Sequence, residues 1–481
     1  MALGLLLFFG LSLGFKVDLV SPSLTSHLLS MKGVLEALQA RGHEATFLSF
    51  EESRGVLAFQ NASSFGSLGP WPAPHSAYQY THTLPSLLEL VNDYSMAAWR
   101  ALQERYADPA RRPHILVFDC FFPVGWPVCE QLDVRCVCLL CNSVGLELLG
   151  SEYDSHPAIV SGRSAADIAA SLRMRLANFL DIRAARHLLP LFKAFKLRRF
   201  WRLVGRALPP LSSPAGVSEY MVSNAAFGLA PAHAFGPLVQ VTGPWLPRSS
   251  PGLEPAVQAF LDGSQRFVFL SIGTNAEWDC GEARLFTAAM AETARRGLHV
   301  LWSVKRYQRE ACNIVGGPGV LLVDFVDQLA VLRHPRVAAF VSHCGFSSLQ
   351  EAIYYRVPLV AFAAMLQSDQ PSNARRVSDA GIGINLREQP LSAEAVVAAV
   401  FFAADDPGVR ARVERFAALV TAQGGAERVA QIVEAAHAQG VEHLRLTPET
   451  AWDVIAVLLA VPLAVWWLLG ERLCRRKAKT N

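Results

Sequence analysis

Ala338-Ala-Phe-Val-Ser342, continuing through His343-Cys-Gly345-Phe-Ser347-Ser348-Leu-Gln-Glu351, reads as a buried strand that swings into a helix. The short apolar run fits a strand covered on both faces, and the turn at Gly345 places the helix start near Ser347-Ser348. Such a corner collects unpaired backbone N–H groups, the positive end of a helix, a hydroxyl and an imidazole at one point. Those are the parts of a diphosphate seat. The same letters, Ser348-Leu-Gln-Glu351, also spell a capping box, which needs no ligand.

Outward from this corner the same alternation repeats. Arg266–Ile272, Leu298–Val304, Val320–Val323 and Val357–Ala361 read as further buried strands. In the first half, Phe15–Val20 precedes a helix with Leu28, Met31, Leu35 and Leu38 on one face, and Gly42 ends that helix. Ala45–Phe50 and Ile115–Phe118 follow as strands, the latter closing on Asp119. Strand–helix–strand alternation implies parallel, doubly wound sheets, and ligands bind beyond their strand C-termini. The fold expected is α/β, with two facing Rossmann-like domains over residues 15–243 and 257–440. The Pro- and Gly-rich run around 244–256 links them. No G-x-G-x-x-G follows the first strand of either half, which counts against a dinucleotide-dependent oxidoreductase.

Composition sets the outer bounds. With 481 residues, 52% hydrophobic and 18% charged, the chain holds more than one domain and is neither disordered nor collagen-like. A net charge of +3 gives no reason to expect nucleic acid as a partner. Positive charge is local: residues 183–206 carry eight Lys or Arg and no acid, interleaved with Leu, Phe and Trp. That composition suits a helix lying in a membrane interface, or equally a helix packed on its domain. Nine Cys are present, five of them between Cys120 and Cys141, without the paired spacing of a zinc site. Disulfides and buried free thiols both remain open.

The ends read as membrane addresses. Residues 1–14 have the length and small-residue finish of a secretory signal, the alternative being a buried first strand. After a juxtamembrane stretch, 441–453, residues 454–470 are uncharged, and as a helix they reach roughly 25 Å, enough for a thin bilayer. Trp452, Trp466 and Trp467 flank the run, and a basic tail, 471–481, follows. A buried hairpin helix is the other reading. Cytosolic basic flanks predict a single-pass type I protein with its domains luminal. The final Lys-Ala-Lys-Thr-Asn resembles a dilysine retrieval signal, which points to the endoplasmic reticulum membrane. Asn61-Ala-Ser63 is a glycosylation sequon in the predicted luminal part.

The run from Phe325-Val-Asp-Gln328 through His334-Pro, Ser342-His-Cys-Gly-Phe-Ser-Ser348-Leu-Gln-Glu351 and Val357-Pro to Asp369-Gln370-Pro-Ser-Asn373-Ala resembles the nucleotide-sugar signature of the UDP-glycosyltransferase superfamily. Ser26-His27-Leu-Leu, Arg41-Gly-His-Glu44 and Ser271-Ile-Gly273-Thr274 extend the likeness over nearly the whole chain, toward the family's membrane-bound members. The resemblance implies a GT-B arrangement, with an N-terminal acceptor domain, a C-terminal UDP-sugar domain and one C-terminal transmembrane helix. It implies that Phe325 stacks on uracil and Gln328 lines the base site. Gly273, Thr274, His343, Gly345, Ser347 and Ser348 would hold the diphosphate, Glu351 the ribose, and Asp369 and Gln370 the donor sugar. His27 would be the general base and Asp119 its partner; a helix N-terminus favours the neutral ring that a base requires. The chain departs from the pattern at Phe325 (usually Trp), Asp327 (Pro), Arg356 (Gly) and Ala363 (Pro), and the stretch from Val357 to Asp369 is two residues longer than in the plant branch.

The activity so implied is inverting transfer of a hexosyl or hexuronosyl group from a UDP-sugar to a hydroxyl of a small lipophilic acceptor. The second reading is a degenerate member that binds nucleotide or a partner without turnover. No Asp-x-Asp occurs in the chain, so no metal and no cofactor beyond the UDP-sugar co-substrate is expected. Membrane lipid is an expected partner, and self-association stays open.

Overall fold

Strands built of Val, Leu, Phe and Ala, buried on both faces, set the architecture. The computed structural model describes residues 14–57, 64–71, 84–141, 170–180, 195–205, 220–226, 229, 237–274, 276–364, 369–441 and 444. The first sheet has seven parallel strands: β1 (Lys16–Val20), β2 (Glu44–Ser49), β3 (Phe65–Ser67), β4 (Ile115–Asp119), β5 (Arg135–Leu140), β6 (Tyr220–Ser223) and β7 (Val239–Val241), in the order β3-β2-β1-β4-β5-β6-β7. The second has six: β8 (Phe267–Ser271), β9 (His299–Ser303), β10 (Val320–Val323), β11 (Val337–Ser342), β12 (Leu359–Ala361) and β13 (Gly383–Asn385), in the order β10-β9-β8-β11-β12-β13. Every pairing between these strands is parallel.

Successive strand residues point to opposite faces, and here both faces are covered. Val17 and Leu19 enter one core cluster while Val20 enters another. Val268 and Leu270 face one way in β8, and Phe267 and Phe269 the other, with Phe269 stacked 4.8 Å from Phe340 of β11. Each such side chain contributes about 2–3 kcal/mol of burial.

Six helices position the site or close the core beneath it: α1 (Thr25–Ala40), α2 (Leu84–Ala107), α3 (Gln328–Arg333), α4 (Phe346–Tyr354), α5 (Gln370–Asp379) and α6 (Gly425–Gln439). The sequence places α6 within the second half, 257–440. Its apolar stripe, Val429, Ala430, Ile432, Val433 and Ala436, instead completes the core of the first sheet beside Leu28, Met31 and Leu35. Polar contacts fix it there. Arg41 grips Glu434 through two hydrogen bonds of 2.8 and 2.7 Å, His43 adds a third at 2.9 Å, and Arg135 donates to the carbonyls of Ala436 and His437 in the last turn.

Strands read from sequence lie within two residues of their positions in the structure, whereas β3, β5, β6, β7 and β13 were not anticipated. Of the two readings of the basic stretch, the residues described, 195–205, fit the helix packed on its domain. Leu197, Phe200 and Trp201 are buried against α2, not presented to lipid, and Phe200 N–H donates to Asn92 Oδ1 at 3.1 Å. Lys196 and Arg199 pair with Glu89 and Asp93 of the same helix.

The expected leader up to residue 13, Asn61, the rest of the basic stretch, the span 454–470 and the tail fall outside the described residues. Among the described residues no helix is long and apolar enough to cross a membrane. Residues up to Val441 form one unit and those from Glu442 a second.

Candidate active site

Both sheets reverse their strand order at one point, between β1 and β4 in the first and between β8 and β11 in the second. Crevices for ligands open at such switch points. The loops leaving these four strands carry most of the residues singled out from the sequence.

On the first sheet, β1 leads into α1, whose third residue is His27, and β4 ends on Asp119. Both side chains are buried, and His27 Nδ1 meets Asp119 Oδ2 in a short contact. The Phe121 N–H donates to Asp119 Oδ1 at 2.9 Å, which fixes the plane of the carboxylate. With Nδ1 so engaged, Nε2 is the nitrogen left to take a proton. Asp119 therefore orients the ring and balances the charge it would acquire.

On the second sheet, Gly273 follows β8 with φ +79°, and His343 follows β11. The imidazole lies between two glycines: a Cβ on Gly273 would sit 2.6 Å from Nε2, and one on Gly345 only 2.4 Å. No side chain but hydrogen fits at either place. Burial pushes the His343 ring down to about 4, so it is neutral at pH 7 and serves as a hydrogen-bond group, not a cation. Its Nδ1 is buried and has no protein partner, which leaves a polar atom for a ligand to satisfy.

The helix after His343 begins at Phe346, with Gly345 as its N-cap and no side chain bonded to its first N–H groups. The capping box is therefore not formed. Ser348 and Glu351 are one turn inside the helix, and Gln328 of α3 holds both, its Nε2 lying 3.0 Å from Ser348 Oγ and 2.5 Å from Glu351 Oε2. Gln328 thus braces the site. Burial raises the Glu351 carboxyl to about 7; the Gln328 hydrogen bond opposes the shift and the neighbouring Asp327 charge adds to it. Phe325 presents a ring 65% exposed, a free face for a planar ligand. Asp327, the departure from Pro, caps α3 by accepting from Ala330 N–H at 3.1 Å and also holds Gly252 N–H at 3.0 Å.

Asp369 and Gln370 open α5. Burial raises the Asp369 carboxyl; the Asn373 amide, 2.9 Å away, pulls it back, and so, more weakly, do the charges of Arg376 and His27. His27 belongs to the other sheet. Gln370 is buried, with Oε1 accepting from Ala364 N–H at 3.0 Å, so it shapes the loop before it.

Arg356 lies away from these groups. It has φ +62° at the C-terminus of α4, with Arg356 N–H bonded to Ile353 O at 2.9 Å and Val357 N–H to Ala352 O at 2.8 Å. That is a Schellman motif, and its left-handed residue explains why Gly is usual there. The guanidinium pairs with exposed Glu414 at 2.9 Å.

Two parts of the site, Cys141 and Lys305, carried no signal in the sequence, and Asn373 entered only as a letter of the signature. Cys141 is a buried free thiol that joins His27 and Asp119. Lys305, its amine depressed by burial, donates to Thr274 O at 2.8 Å and so steadies the turn after β8. Asn373 bridges Asp369 and Cys344 O. Among the described residues six cysteines form disulfides, Cys120–Cys138, Cys129–Cys136 and Cys280–Cys312, with Cα separations of 5.3, 6.2 and 4.8 Å.

Residues 247–477 match the family described as "UDP-glucoronosyl and UDP-glucosyl transferase". A human relative, "UDP-glucuronosyltransferase 2B17", is 23% identical over 96% of this chain and 94% of its own. The family match places the carboxy-terminal half of the chain with the UDP-glycosyltransferase superfamily. A second family member, a "UDP-glycosyltransferase" from Talaromyces amestolkiae, is 24% identical over 62% of this chain, a match that spans 59% of that relative's length. Among solved structures, Os79 from O. sativa in complex with UDP superimposes with a TM-score of 0.64 at 21% identity, covering 87% of this chain and 99% of that one. This establishes the GT-B fold for the chain.

Proposed function

We propose that the chain is an inverting transferase that moves a sugar from a UDP-sugar to the hydroxyl of a small lipophilic acceptor. One observation carries this reading: His27, bound through Nδ1 to Asp119, stands at the switch point of the first sheet, as the Gly273 and His343 turns and the start of α4 stand at that of the second. A base and a diphosphate seat then flank one reacting centre.

In this reading the nucleotide lies along the second sheet. Phe325 stacks on the base, Glu351 accepts from the ribose hydroxyls, and the N–H groups opening α4 with the His343 ring, Gly273 and Thr274 bind the diphosphate. Asp369 accepts from the sugar hydroxyls. His27 Nε2 takes the proton of the acceptor hydroxyl as its oxygen bonds to the anomeric carbon. The bond from that carbon to the diphosphate oxygen breaks on the opposite face, so configuration inverts. Negative charge gathers on departing UDP, where N–H donors and a helix end already point. Each side chain present supplies a named part, and no step calls for a group this chain lacks.

A panel of UDP-sugars offered to membranes expressing the chain, with product masses read by mass spectrometry, tests the proposal. Transfer from at least one donor, lost in His27→Ala, supports it. UDP binding with no transfer or hydrolysis from any donor would favour the non-catalytic reading.

We place the domains in the lumen of the endoplasmic reticulum, and disulfides of the kind described suit that oxidising compartment. Lipid contact is supported by residues 172–180, a helix with Leu172, Leu176 and Leu180 exposed at 73%, 56% and 56% along one face beside Arg173 and Arg175. Replacing the three leucines with Ser should raise KM for a bilayer-partitioning acceptor and leave KM for a water-soluble one unchanged.

A further inference from the structure

The base pair has a third member. β5 runs parallel to β4 with Leu139 opposite Asp119, so the chain emerging from β5 brings Cys141 to the end of the strand that carries the carboxylate. A His27 ring nitrogen, an Asp119 oxygen and Cys141 Sγ all lie within 4.8 Å of one another, and all three residues are buried. Cys136 and Cys138 on the same strand are tied up in disulfides, whereas Cys141 keeps its thiol.

We propose that Cys141 is a positioning residue for the base: its S–H donates to the Asp119 carboxylate and, with the Phe121 N–H, holds that group square to the His27 ring. This rests on the transferase reading above. An ionised carboxylate accepts several hydrogen bonds, and each additional donor removes freedom to rotate. Burial, the Asp119 charge and the hydrogen bond all raise the thiol, so it stays protonated and acts as a donor, not as a nucleophile. The thiol also takes up part of the carboxylate's charge, which tempers how strongly Asp119 favours the imidazolium. Two other groups face the pair. Tyr94 of α2 feels the Asp119 charge while its hydroxyl donates to Ser21 O at 3.1 Å, and Asp369, the N-cap of α5, feels that of His27.

Cys141→Ala and Cys141→Ser in the full chain test the idea. The Ala variant should lose about tenfold in kcat with KM for donor and acceptor unchanged, a pattern that marks a transition-state defect. Without the thiol, Asp119 favours the imidazolium more, so the acid limb of the pH–rate profile should move to higher pH. Ser keeps a donor and should restore both. Wild-type kcat and pH profile in Cys141→Ala would overturn the proposal. So would a Cys141→Ser variant as impaired as the Ala variant at an equal melting temperature, because the thiol would then only fill space. A second measurement needs no turnover: the pH dependence of His27 modification by diethyl pyrocarbonate, read by peptide mass spectrometry. If it shifts in Cys141→Ala and recovers in Cys141→Ser while no UDP-sugar is consumed, the transferase reading fails and the positioning role stands. If it does not shift, the positioning role fails whatever the turnover.

Discussion

The two sheets use the same device differently. In the second, nearly every residue proposed for the donor site comes from one run, Phe325 to Gln370, strung along α3, β11, α4 and the start of α5. In the first, the base pair needs three separate stretches: the start of α1, the end of β4 and the chain just past β5. A continuous run can be a rigid template prepared in advance of its ligand. A pair assembled from distant strands holds its geometry only through the sheet beneath it. The difference predicts that damage to the first site costs chemistry, whereas damage to the second costs affinity.

The largest expected effect sharpens that contrast. His27→Ala should lower kcat by about 10²- to 10⁴-fold, the range for a positioned base, with UDP affinity by calorimetry unchanged. A comparable loss of affinity would break the division of labour. Next, Gly345→Ala puts a methyl 2.4 Å from His343 Nε2 and should weaken UDP binding by about 10- to 100-fold, as overpacking of 1–3 kcal/mol would. The pH dependence of His27 modification should be unaffected, since the two sites are built independently.

Glu351 gives a smaller, pH-dependent effect. Its folded carboxyl is at about 7, above the ordinary 4.5, so the folded state holds a proton that the unfolded state releases earlier. Its contribution to stability is complete below the unfolded value and is lost as pH rises through 7. Glu351→Gln should therefore melt with wild type near pH 4, and at pH 8 be more stable by on the order of 2–3 kcal/mol. UDP affinity of the wild type should rise between pH 6 and 8 as the carboxylate ionises, and that of the variant should stay flat. Smallest of all, Arg356→Gly relieves a left-handed residue and should stabilise by about 0.5–1 kcal/mol in denaturant titration. Donor affinity should not change, because the motif is remote from the cleft.

The same contrast decides what the sequence could disclose. Strands such as β8 and β11 are continuous apolar runs flanked by turn residues, and the signature threading them carries its own spacing. His27 and Asp119 were reached through family resemblance, since a lone His at a helix start has no local mark of a base. Cys141 left no trace: its meaning comes from lying across a sheet from Asp119, and pairing between β4 and β5 is not written in either strand. β3, β7 and β13 have three residues each, too few for a period to show. The pattern of α6 reveals a helix with one apolar face, but not which sheet that face will cover. The letter of Gln328 in the signature likewise says nothing of its hydrogen bonds to Ser348 and Glu351.

The return of α6 also governs how the halves can be exchanged. The chain passes between them twice, and the two crossings touch, Gly425 N–H bonding to Thr242 O at 2.7 Å. Any relative motion of the lobes must bend about that shared seam. A chimera cut once, in the linker, would pair one parent's first sheet with the other parent's lid over it. Grafts that carry residues 425–439 along with the amino-terminal lobe should fold where single-cut grafts do not.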